Sequence, residues 1–308
     1  MKTLQLSFLL LASSIGLHAQ EQSKVSLKRQ DSLSTITLEE VQLTGIRAKE
    51  NTPVTFTNVT QKDIASRNLG QDIPILLNYL PAVVTTSDAG AGIGYTGIRV
   101  RGSDATRVNV TLNGIPYNDA ESQGTFWVNL PDFASSVEQI QLQRGVGTST
   151  NGAAAFGASL NVETAGVQPK AFTSLSSSLG SFNTLKNTFQ FSTGMLNDHF
   201  SFSGRLSKIN SEGYVDRAAS HLDAYFFQAA FQDENTLIKA LFFGGHEITY
   251  QSWYGVDAQT LASNRTYNPA GEIYDNNGNR SGFYENQVDD YTQDHYQLHW
   301  DEKINSFW

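Results

Sequence analysis

Two runs of residues decide how this chain is read: IRVRGSDATRVNVTLNGIPYND from Ile98 to Asp119, and SSVEQIQLQRGVGTSTNGAAAFGASLNVET from Ser135 to Thr164. Val108, Val110 and Leu112 alternate with polar residues, the period of a half-buried strand. Asn113-Gly114 follows at once, a pair suited to a two-residue type I′ turn because both positions need positive φ. A second alternating strand runs from Val137 to Leu142, with glutamines between its apolar residues, and a third lies near Ser159 to Val162. Short strands divided by glycines predict a small α+β domain and not a helical bundle.

Upstream, Thr60-Gln61-Lys62-Asp63 has the spacing of a capping box and predicts a short helix to about Leu69, stopped by Gly70. Pro74 marks the first turn of a second helix, whose apolar stripe is Ile73, Leu76, Leu77 and Leu80, ended by Pro81. Gly92, Gly94 and Gly97 spell G-x-G-x-x-G. A dinucleotide site needs a strand before that motif and a helix after it. Here Ile98-Arg99-Val100-Arg101 alternates as a strand, so the glycines read as a mobile loop.

The order of these motifs resembles the plug of the TonB-dependent outer-membrane receptors. The matching features are Arg101-Gly102 after a strand, the Asn113 to Pro116 hairpin, the Val137 to Gly145 segment and the closing strand after Phe156. Gln141 stands where that family usually has Glu, and Phe156 where it often has Tyr. The wording around GTFWVNLPD, with the run after Gln143, is similar to Bacteroidetes-type receptors labelled ferric citrate or siderophore receptors.

The start of the chain fits export. Lys2, an apolar run from Leu4 to Leu17 and Ala19 before Gln20 make residues 1–19 a signal peptide, and the polar residues 20–35 a flexible linker. Residues 36–45 (ITLEEVQLTG) mix β-formers with two acids. By the resemblance they are the TonB box, with Leu38, Glu39, Glu40, Val41, Gln42 and Leu43 pairing as a strand with a TonB-type periplasmic protein. Residues 46–166 are then the plug domain. A net charge of −9 argues against nucleic acid as a partner. The absence of cysteine excludes thiolate chemistry.

From about Lys170 the pattern changes to alternating strands of about nine to eleven residues, the length of a tilted membrane strand. Phe200, Phe202 and Leu206 alternate with serines and Arg205; Phe226 breaks the rule in its strand. Short connections near Gly194–Asp198 and Asp233–Asn235 face long ones at Ser211–Ser220 and Gln251–Val288. Residues 167–308 read as the first five or six strands of a transmembrane β-barrel, about a quarter of a wall of roughly 22 strands. The expected fold is thus an α+β plug domain followed by part of an antiparallel barrel, an N-terminal fragment of a receptor.

No catalytic, metal or cofactor set emerges. His295 and His299 are four apart, roughly 13 Å on a strand, too far to share a metal. The resemblance implies TonB-energised uptake across the outer membrane, amid lipid and lipopolysaccharide, of a large scarce solute such as a ferric siderophore or other ferric chelate. Alternatives are cobalamin, a glycan, a peptide, or a binding fragment that does not transport. Tyr117, Asn118, Glu121, Gln123, Phe126 and Trp127 form the candidate ligand contacts, on a loop rich in aromatics and amides. Arg101 and Arg144 resemble the plug arginines that pair with barrel-wall glutamates.

Overall fold

The computed structural model describes residues 47–147 and 151–304, all within one compact unit, Leu38–Trp308. The signal peptide, the linker and the segment from Leu38 to Leu43 lie outside the described residues.

The first strand, β1 (Thr55–Thr60), runs straight into α1 (Gln61–Ala65). Thr60 and Asp63 form a reciprocal capping box, each side chain bonding the other's backbone N–H. The helix stops four residues earlier than its spacing predicts. Past its end, the Asn68 amide donates to Asp132 and Ser135 instead of continuing the helical stripe. The second helix, α2 (Ile73–Leu76), has Pro74 in its first turn, and Ile73, Leu76, Leu77 and Leu80 are all buried.

A hairpin of β2 (Val83–Ser87) and β3 (Thr96–Val100) carries the glycine-rich loop. The main sheet follows: β4 (Val108–Leu112), β5 (Ile115–Pro116), β6 (Val137–Arg144) and β7 (Ala158–Thr164), in the order β1-β6-β7-β4-β5. Among the described residues of this sheet, only the β4–β7 pairing is parallel. Asn113 and Gly114 take φ of 53° and 80°, the two positive values a type I′ turn requires.

Beyond residue 170 the chain forms an antiparallel meander: β8 (Ala171–Leu179), β9 (Leu185–Thr193), β10 (Phe200–Ser211), β11 (Ser220–Gln232) and β12 (Thr236–Tyr250). After the long connection, which holds α3 (Ala258–Ser263), β13 (Glu272–Tyr274) and β14 (Arg280–Phe283), strand β15 (Val288–Glu302) pairs beside β12. The last two wall strands have 15 residues each, longer than the alternation predicts. Their extra length is polar: His246, Glu247, Asp289 and Asp290 lie on the paired ends of β12 and β15 nearest the long connection.

Sidedness is reversed from that of a soluble sheet. Leu175, Leu206, Tyr296, Leu298 and Trp300 are exposed on one face, while Lys186, Thr188, Ser192, Arg205 and Ser207 are buried on the other. What covers the polar face is the plug. Phe226, the residue that breaks the alternation, turns inward for this reason: its ring and that of Phe243 pack on Phe133 of the plug, at centroid distances of 6.3 and 5.2 Å. Phe226, Leu241 and Phe243 thereby join the plug's own apolar core.

Candidate functional site

Among the contacts between plug and wall, two gather charged and polar side chains. The first is built around Asp132, which follows Pro131 in left-handed backbone at φ 49° and has a fully buried side chain. Lys186 Nζ on β9 lies 2.6 Å from Oδ1, and Arg205 Nη1 on β10 lies 3.5 Å from Oδ2. Thr188 and Ser207 donate to Oδ2 at 2.8 and 2.6 Å. Arg205 also donates to the Asp132 carbonyl. Gln190 donates to the carbonyl of Ser135 at 2.7 Å, extending the seam along the plug. Burial alone would raise the carboxyl's pKa; Arg205 and Lys186 outweigh it and hold Asp132 at about 2.

This seam is a contact the sequence reading did not anticipate, separate from the pairing expected for Arg101 and Arg144. Arg144 sits within the plug, its Nε donating to the carbonyl of Pro81 at 3.0 Å. Burial, with Arg101 nearby, lowers its pKa. Arg101 is exposed, in left-handed backbone at φ 52°. Neither arginine contacts a described wall strand. An acid on the plug and cations on the wall carry the contact, and the signal that could have found it was Lys186 and Arg205 on the polar side of alternating strands.

The second place is a cavity of about 220 Å³ between the plug loops and the ends of β12 and β15 nearest the long connection. Tyr95, Tyr117, Asp119, Phe126 and Asn129 line it from the plug, with Glu247, Asp289, Tyr291 and Gln293 from the wall. The Tyr95 hydroxyl donates to Asp289 and lies 3.4 Å from Glu247. Burial and these acceptors raise the pKa of its phenol. Tyr117 donates to Gln293 at 3.2 Å and its ring packs on His295.

Of the six candidate ligand contacts, the cavity gathers Tyr117 and Phe126. Asn118 braces its own loop, accepting from Val110 N–H and donating to the carbonyls of Val108 and Gln123. Glu121 and Gln123 are exposed on the loop, and Trp127 is buried in the plug core at 2% exposure, away from the cavity lining. Wall residues Glu247 and Asp289 were not legible as partners, because only the β12–β15 register brings them together. The glycine-rich loop is seated instead of free. Ile93 is buried with Val128, Ile209 and Leu222, and Ala89 accepts from the Tyr214 backbone at 2.8 Å.

Residues 48–159 match the family described as the TonB-dependent Receptor Plug Domain. No curated protein matches the chain by sequence. Solved structures share the fold. The P. aeruginosa receptor FpvA, in complex with an iron-loaded pyoverdine, is 13% identical with a TM-score of 0.59, over 83% of this chain and 32% of its own. The ferric-catecholate import receptor Fiu from E. coli K12 is 17% identical with a TM-score of 0.62, over 82% of this chain and 36% of its own. The ferric citrate transporter FecA, unliganded, is 17% identical with a TM-score of 0.56, over 71% and 35%. The chain spans about a third of the length of each.

Proposed function

We propose, from the match of residues 48–159 to the TonB-dependent receptor plug domain family, that the protein is an outer-membrane receptor taking up a ferric chelate with energy from a TonB-type periplasmic protein. The observation that carries this reading is the Asp132 seam. It ties the plug to the polar face of a sheet whose other face is apolar. A sheet that is polar where it meets its plug and greasy where it faces outward suits a lipid-embedded wall with a stoppered lumen. The similar structures named above are an iron–pyoverdine complex of one receptor, a ferric-catecholate import receptor and a ferric citrate transporter, which supports iron as the cargo class. Coupling would run through Leu38 to Leu43, upstream of the plug, by strand addition to the periplasmic partner.

The test is growth of a strain lacking the full gene on a panel of defined iron sources at limiting iron. Loss of growth on at least one ferric chelate, with normal growth on excess iron salt, is the expected result. Unchanged growth on every iron source would overturn the reading.

A further inference from the structure

We infer that the cavity between Tyr117 and Asp289 receives a protonated amine or guanidinium carried by the transported ligand. This rests on the uptake reading and adds the charge class of the ligand. Three carboxylates line the cavity, those of Asp119, Glu247 and Asp289, and no Lys, Arg or His does. The two phenol protons already have acceptors: Tyr95 donates to Asp289, and Tyr117 to Gln293. What the walls still offer is acceptors.

A second, independent observation points the same way. Asn129 also lines the cavity and is only 9% exposed, yet its Oδ1 is buried with no hydrogen-bond partner. A buried carbonyl oxygen left without a donor costs free energy until one arrives, so this atom calls for an N–H or O–H group from a ligand. The rings of Tyr117, Phe126 and Tyr291 stand in the same lining, where an organic cation gains from their faces. A metal ion fits less well: among the described residues no three carboxylate or imidazole groups converge as a metal site. The approach is acidic as well. From Gln251 to Asp294 there are seven acids against two arginines, a net −5 that repels a polyanionic chelate and draws a cationic one.

The experiment compares two complexes with the same ferric trihydroxamate core, ferrioxamine B with its pendant ammonium and the N-acetylated form without it. Equilibrium binding of each, labelled with radioiron, is measured on the full-length receptor in outer-membrane vesicles, followed by uptake into cells. The ammonium form should bind about tenfold more tightly than its acetylated twin. Asp289→Asn should erase that preference, with Glu247→Gln as the second variant should the first not fold. Equal affinity, preference for the acetylated form, or no measurable binding of the ammonium form overturns the inference. Ferric citrate and a ferric tricatecholate serve as anionic controls. If either enters cells while the ammonium form is not preferred, the uptake reading stands and the charge assignment falls; if no complex enters, both fall.

Discussion

At the scale of single residues, two buried aspartates of the plug respond to pH in opposite directions. Asp132 has its pKa lowered from 3.8 to about 2, by wall cations that overcome its burial. Its stabilisation of the plug is therefore complete above pH 3.8 and drains away as pH falls toward 2. Asp132→Ala leaves Lys186 and Arg205 buried without their counter-charge, and should loosen the plug by about 3–5 kcal/mol. Hydrogen exchange across the plug at neutral pH would read this as broad loss of protection; unchanged protection would mean that Phe133 and its aromatic contacts hold the plug alone. Asp72 behaves the other way. It is buried, accepts from Thr96 at 2.9 Å, and its pKa is raised from 3.8 to about 8, by burial first. The unfolded chain gives up this proton near 3.8 and the folded one only near 8, so stability falls as pH rises between those values. Asp72→Asn should remove that slope, gaining on the native protein as pH goes from about 5 to about 8. A stability difference that stays flat with pH would show Asp72 ionised in the fold.

At the scale of elements, β6 carries the clearest lesson. Its glutamines look solvent-facing by alternation, yet Gln141 and Gln143 are buried. Gln141 accepts from the Ala48 N–H at 2.7 Å and donates to the Ala48 carbonyl and to Asn58. An amide can both donate and accept; a carboxylate at neutral pH can only accept. Gln141→Glu should thus cost roughly 1–3 kcal/mol of stability by stranding two acceptors, the Ala48 carbonyl and Asn58 Oδ1, while the Ala48 N–H keeps its acceptor. A denaturation midpoint unchanged by the substitution would show that Arg47, paired with Glu163 at 2.7 Å, suffices to hold the segment. Just upstream, if Leu38 to Leu43 pairs as a strand, Val41→Pro deletes a backbone donor and should abolish uptake while surface binding persists. Normal uptake by that variant would place the coupling segment elsewhere. The elements themselves were legible, because capping boxes, Asn-Gly turns and period-two alternation are local. The second burial face of β6 was not, since it depends on residues 47–48 folding back from far along the chain. For the same reason Tyr117 and Phe126 could be picked out as candidate contacts, while Glu247 and Asp289 had to wait for the wall's register.

At the scale of the whole molecule, plug and wall depend on each other. The wall buries Lys186, Arg205 and Ser207 against Asp132 of the plug, and the plug's apolar core is completed by Phe226, Leu241 and Phe243 from the wall. Alternation in sequence predicts which wall residues point inward but not what they meet, so the contact of Lys186 with Asp132 was not legible. The most direct test of this arrangement is a thiol cross-link in the full-length receptor, which starts from a chain without cysteine in this region. Ser135→Cys on the plug is paired with Gln190→Cys on the inward side of β9, and separately with Phe189→Cys on its outward side. A short bifunctional thiol reagent applied to whole membranes should join Ser135 to position 190 and not to position 189, and the joined receptor should bind its ligand but cease uptake until reduced. Cross-linking to position 189 instead, or to both positions equally, would contradict a plug seated against the polar face of this wall.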